Sequence, residues 1–175
     1  MNLSDEQYAA VMAVEPRILV AANAGSGKTA VIIERIKHLL EIGVSPSKIY
    51  AITYTNMAAQ EMHERIDGAP VFIGTIHSLA NRILLSNGID TSQFIEEENF
   101  NELLRINVDR DIDMPEIEHL LVDEFQDIGD DENAFLMEAL DAKNFFYCGD
   151  SCQSIYGFSG SNFEHFMSLA RDKTV

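Results

Sequence analysis

Short, wholly apolar runs alternate along this chain with longer stretches in which apolar residues recur every three or four positions. The runs cover residues 18–22, 49–53, 71–75, 120–123 and 145–149, and each ends in small or polar residues. Apolar on successive positions, they predict short strands buried on both faces. The periodic stretches predict helices at about 5–14, 28–42, 57–66, 76–85, 131–140 and 163–170, with Ser4 and Ser161 placed to cap the first and last. Strand alternating with helix predicts an α/β fold, a parallel sheet with helices on both faces. Ligands gather at the carboxyl ends of such strands, so the residues that follow each run are the candidates for chemistry. No repeat, low-complexity tract or linker divides the chain, and residues 1–175 read as one lobe.

After the first run come Ala22-Asn23-Ala24-Gly25-Ser26-Gly27-Lys28-Thr29, and then a helix pattern. Small residues let backbone N–H groups curl around phosphate oxygens at the positive end of that helix. Lys28 is placed to reach the β- and γ-phosphates of a nucleotide, and the Thr29 hydroxyl to ligate Mg²⁺. A Gly-Ser turn that merely caps a helix has no need of Lys-Thr in that order. The generic P-loop pattern has Gly where Ala22 stands.

The fourth run delivers two adjacent carboxylates, Asp123 and Glu124. Asp123 is suited to hold Mg²⁺ beside Thr29, and Glu124 to orient and deprotonate an attacking water. After the fifth run, Gln153 can sense a γ-phosphate without neutralising it. Phe158 reads either as a stacking platform for a base or as core.

Charge complicates this picture. The 175 residues carry 12 Lys and Arg against 29 Asp and Glu, a formal net charge of -17. Nucleic-acid binders draw most of their affinity from cations, so the balance argues against tight binding to a polyanion. Two cysteines, Cys148 and Cys152, make no disulfide framework and lack nearby partners for a metal site. No apolar run approaches the ~20 residues of a membrane span, and residues 1–6 lack the features of a signal peptide. The expectation is a cytoplasmic protein without a membrane partner.

Together the motifs resemble the first RecA-like lobe of the UvrD/Rep/PcrA-type superfamily 1 DNA helicases. Leu3 to Gln7 is similar to the Q motif, Ala22 to Thr29 to motif I, and Thr53 to Ala59 with Glu61, Met62, Arg65 and Ile66 to motif Ia. Gly74 to Leu79 with Arg82 to Leu84 resembles motif Ib, Val122 to Asp127 motif II, and Gly149 to Phe158 motif III. The resemblance implies a P-loop NTPase fold with ATP and Mg²⁺ as cofactors, and it gives Gln7 the adenine edge. It makes Tyr54 and Phe158 stacking platforms for single-stranded DNA, with Thr53, Thr55, Asn56, His77 and Ser78 meeting the DNA backbone or supporting those loops. His77 reads equally as a hydrogen-bonded structural histidine.

Three departures remove positive charge that the family commonly has: Met57 in motif Ia, Ala30 after motif I, and Ser159 after Phe158. The family's accessory domain between motifs Ib and II is reduced to residues 86–118, enough for a short helical insert. A second lobe, which in the family supplies arginine fingers, lies outside these residues. Two readings follow. One is the ATP-binding lobe of a UvrD-like ATP-dependent DNA helicase or translocase, incomplete without its second lobe and weak toward ATP and DNA alone. The other is a stand-alone acidic nucleotide-binding protein that binds a helicase or a replication or repair partner.

Overall fold

The computed structural model describes residues 3–23 and 25–150. Its five strands are β1 (Arg17–Ala21), β2 (Ile49–Ile52), β3 (Phe72–Gly74), β4 (Ile117–Val122) and β5 (Ala142–Gly149). They form one parallel sheet in the order β1-β5-β4-β2-β3. The helices are α1 (Asp5–Met12), α2 (Lys28–Glu41), α3 (Asn56–Arg65), α4 (Ile76–Ser86), α5 (Ser92–Glu96), α6 (Phe100–Asp109) and α7 (Asp130–Ala134). The expected α/β sheet is present. None of the described helices is long and apolar enough to cross a membrane.

The strand order explains which face each helix covers. From β1 through β2 to β3 the chain moves one way across the sheet, and from β3 through β4 to β5 it moves back. Parallel crossovers are right-handed, so reversing direction puts the connecting helices on the opposite face. Accordingly α1, α2 and α3 cover one face, burying Ala10, Val31, Ile32, Ile36 and Met62 against Ile18, Ala51, Leu121 and Phe146. On the other face α4 and α6 bury Leu79, Leu84, Leu103 and Leu104 against Leu19, Ile52, Leu120 and Tyr147. Adjacent strand residues such as Ile18 and Leu19 thus belong to different cores, which is why the strands read as continuous apolar runs.

Where the elements depart from the pattern, pairing or packing decides. β4 and β5 each begin three residues before their apolar runs, because Ile117 pairs with Ala142 and His119 with Asn144 in register. The stretch expected as one helix over 131–140 is α7 followed by a π-helical turn, Phe135–Ala139. That wider turn leaves Phe135 and Leu136 both fully buried. Between α4 and β4 lie α5 and α6; α6 docks on α4 partly through Asn107, whose amide donates to the Ala80 carbonyl at 3.2 Å. The expected helix over 163–170 and its cap Ser161 lie outside the described residues.

Helix α1 has only eight residues, and its stability comes from its ends. The Ser4 hydroxyl accepts from the Gln7 N–H at 3.3 Å, and the Gln7 carboxamide accepts from the Ser4 N–H at 2.8 Å, a complete capping box. At the other end the buried Arg35 of α2 donates to the Val11 carbonyl, which fixes α1 to the helix that follows the glycine-rich loop.

Candidate nucleotide site and adjoining groove

All carboxyl ends of the parallel strands lie at one edge of the sheet, and the candidate residues follow them. The loop after β1 is tied to β5 where the Ala22 N–H donates to the Gly149 carbonyl at 3.0 Å. Gly25 and Gly27 have φ of 76° and 86°, the left-handed region in which a side chain is strained. A Cβ on Gly27 would also lie 3.1 Å from Nε2 of Gln7. No side chain caps α2, and its first turn holds no acid. Its positive end is therefore left unneutralised by the described residues, as at helix ends that bind anions. Ala24 lies outside the described residues.

β5 separates β1 from β4, yet side chains from both reach across it. The Thr29 hydroxyl donates to Oδ2 of Asp123 at 2.9 Å. The ammonium of Lys28, nearly buried, lies 3.4 Å from Oε2 of Glu124 and 3.3 Å from the Ala22 carbonyl oxygen. Burial raises the Asp123 carboxyl above its ordinary range, opposed by the Thr29 hydrogen bond. A buried carboxylate of this kind gains from a cation. The Thr29 hydroxyl and the Asp123 carboxylate, hydrogen-bonded to each other, are oxygen donors of the kind that Mg²⁺ takes directly or through water. The loop, its ammonium and this oxygen pair fit a magnesium-bound nucleotide triphosphate.

Glu124 has φ of 51°, uncommon for a residue with a side chain and outside any strand or helix geometry. Its carboxylate accepts from Nε2 of Gln126 at 2.9 Å, in the 3₁₀ turn Phe125–Asp127. Oε1 of the same amide accepts from the Asp150 N–H at 2.8 Å, at the end of β5. Sequence reading placed Gln126 in a motif but assigned it no task; only the position of β5 beside β4 reveals one. Gln7, expected at the adenine, donates to the Ser26 carbonyl at 2.8 Å, so its amide also braces the glycine-rich loop. Gln153 lies outside the described residues.

Beyond β4, the ends of β2 and β3 open into a groove. A pocket of about 270 Å³ there is lined by residues including Thr53, Tyr54, Thr75, His77, Asp123 and Glu124. Tyr54 is 66% exposed. Thr53 is buried, its N–H donating to the Gly74 carbonyl at 3.0 Å. Thr55 caps α3 by accepting from the Ala58 N–H at 3.1 Å. The Ser78 hydroxyl donates to the Thr75 carbonyl at 2.7 Å, which commits it to the start of α4. Asn56 opens α3. The His77 ring meets Phe100 edge-on at 6.0 Å, and its buried Nε2 has no hydrogen-bond partner among the described residues. Glu132, which sequence reading missed, joins Asp123 and Glu124 in the wall.

Positive charge belonging to the neighbouring motifs is engaged elsewhere. Arg65 of α3 pairs with Glu61 at 3.2 Å. Arg82 of α4 lies 5.5 Å over the Phe72 ring, lining a second pocket with Tyr50 and Asp113. Met57, in the position the resemblance gives to a cation, is 79% exposed. Phe158 lies outside the described residues.

A P-loop sequence at the carboxyl edge of a parallel sheet, with a groove beside it, is consistent with a RecA-like P-loop α/β lobe. Family comparison makes this specific: the model of the UvrD/REP helicase N-terminal domain matches residues 3–116 and 99–174. The chain belongs to that family. It is 26% identical to the ATP-dependent DNA helicase PcrA of Leuconostoc citreum, over 98% of this chain and 35% of that protein. It is 38% identical to DNA helicase II of Escherichia coli K12, over 59% of this chain and 16% of that protein. With PcrA of Staphylococcus aureus Mu50 the identity is 47%, over 47% of this chain and 12% of that protein. The chain thus spans about a third or less of the curated relatives it matches.

Proposed function

We propose that this chain is the ATP-binding lobe of a UvrD-like DNA helicase or translocase, and that its cleft binds and slowly hydrolyses Mg-ATP. The observation that carries the reading is the meeting of Lys28 and Thr29, after β1, with Asp123 and Glu124, after β4. Mg-ATP, when bound, supplies the phosphoryl group to be attacked and a divalent charge that stabilises the leaving phosphate. Lys28 exchanges its contact with Glu124 for phosphate oxygens, which frees that carboxylate. Thr29 and Asp123 hold the cation. Glu124 orients a water and accepts its proton. Gln7 holds the glycine-rich loop through Ser26 and would read the adenine edge with the amide hydrogen and lone pair that its bonds to Ser26 and Ser4 leave over.

Tyr54 offers a stacking surface for single-stranded DNA, with Thr53, Thr55, Asn56, His77 and Ser78 shaping the adjoining loops. Three carboxylates in the groove wall and the engaged Arg65 and Arg82 support weak DNA binding by this chain alone. Full activity then depends on cations from a second lobe or a partner protein. The second reading, an acidic nucleotide-binding protein that docks on a helicase or repair partner, is favoured by the net charge of -17.

Calorimetry with ATP, with and without Mg²⁺, tests the nucleotide site; magnesium-dependent binding is expected, and no binding in either condition would sink the proposal. Fluorescence anisotropy with a labelled single-stranded oligonucleotide at two salt concentrations tests the groove. Dissociation constants on the order of tens of micromolar or weaker are expected, since few cations are available to release counterions. Nanomolar binding with a steep salt slope would overturn that part of the reading.

A further inference from the structure

The Gln126 side chain joins two strand ends that the proposed chemistry needs in register. Its Oε1 accepts from the Asp150 N–H at 2.8 Å, and its Nε2 donates to Oε2 of Glu124 at 2.9 Å and to Oδ2 of Asp127 at 3.0 Å. The surrounding groups determine the amide's orientation: a backbone donor needs the carbonyl, and two carboxylates need the two N–H bonds. Few side chains could replace it. A carboxylate there would repel Glu124 and Asp127, and an ammonium could not accept from Asp150.

We propose that Gln126 is a positioning residue for hydrolysis: it holds the Glu124 carboxylate in place and links it to the end of β5. The inference rests on the reading of the cleft as an ATP site. Glu124 needs such a hold because its backbone sits in the left-handed region, at φ of 51°. Its other partner, Lys28, is the group that a triphosphate draws away. Lys28 and Gln126 contact the same oxygen, Oε2, so Gln126 keeps the carboxylate oriented when Lys28 departs. The other oxygen is then the one offered to water. Through Asp150, the strand between β1 and β4 sets where that carboxylate stands.

Two variants of the full chain separate the two ends of the amide. Gln126→Glu keeps an acceptor for the Asp150 N–H but loses the donor to Glu124, whereas Gln126→Ala loses both. Three measurements are needed: Mg-ATP affinity by titration with a fluorescent ATP analogue, single-turnover hydrolysis, and exchange of the Asp150 amide by NMR. Gln126→Ala is expected to bind within about threefold of wild type, Gln126→Glu more weakly because of its added charge, and both to hydrolyse about tenfold or more slowly. The Asp150 amide should stay protected in Gln126→Glu and exchange faster in Gln126→Ala. Wild-type hydrolysis in either variant overturns the proposal. Equal loss of affinity and hydrolysis in both variants overturns it too. A wild type that binds Mg-ATP without turning it over defeats the role of Gln126 but leaves the nucleotide site standing. Absence of any nucleotide binding defeats the site itself.

Discussion

The nucleotide corner and the groove beside it lie at the same edge of one sheet, yet they are built differently. At the corner, charged and polar groups from distant parts of the chain are already paired: Lys28 with Glu124 in an ion pair, and Thr29 with Asp123 in a hydrogen bond. Each pair has the form that a bound nucleotide and cation would take over, so the protein alone keeps the site assembled. The groove exposes Tyr54 and Met57, commits Thr55 and Ser78 to helix caps, and draws its charged wall from carboxylates. Preorganised electrostatics thus mark the first region, and an exposed aromatic in a surface poor in cations marks the second. On the proposed reading, the lobe is built for nucleotide and poorly provided for a polyanion. Local charge decides this, because the field of the whole chain is screened over ~8 Å at physiological salt.

The contrast can be tested by changes of decreasing size. The largest effect expected is on hydrolysis: Glu124→Gln removes the base but keeps the Mg²⁺ ligand, and should cost about 10²–10⁴ in single-turnover rate with ATP affinity intact. An unchanged rate would mean that the corner does not use this carboxylate. Lys28→Ala should bring Mg-ATP binding below calorimetric detection, because the variant loses the ammonium that faces the phosphates. Equal affinity in wild type and variant would show that the corner's ion pair serves only the fold. Gly74→Ala attacks the groove's scaffold: a Cβ there lies 2.5 Å from Oγ of Ser78 and 3.0 Å from the Phe72 ring. A loss of about 1–3 kcal/mol in urea unfolding is expected from that overpacking. Met57→Lys should restore one phosphate contact, strengthen single-stranded DNA binding a few-fold, and steepen its log-log salt slope by about 0.7. No change on adding this cation would show that the groove does not meet the DNA backbone at α3.

Much of this was legible because local chemistry and fold agree. The apolar runs located all five strands, and the Gly-Ser-Gly-Lys-Thr order located the turn into α2. Strand ends were less legible, since residues such as Glu118 and His119 join β4 through backbone pairing that side-chain pattern does not record. Equally hidden was the π-helical turn at Phe135–Ala139, where packing of two adjacent apolar side chains overrides helical periodicity.

By itself the sequence determined the α/β alternation, the phosphate-loop motif and the two carboxylates that follow β4, since each depends on residues close together in the chain. Tertiary structure alone decided that β5 lies between β1 and β4, so that Gln126 meets Asp150 and Lys28 meets Glu124. It also decided that Arg82 packs on Phe72 and that Glu132 joins the groove wall. The physical reason is range: propensity and spacing act over a few residues, whereas strand order sets which distant side chains share a dielectric and a hydrogen bond.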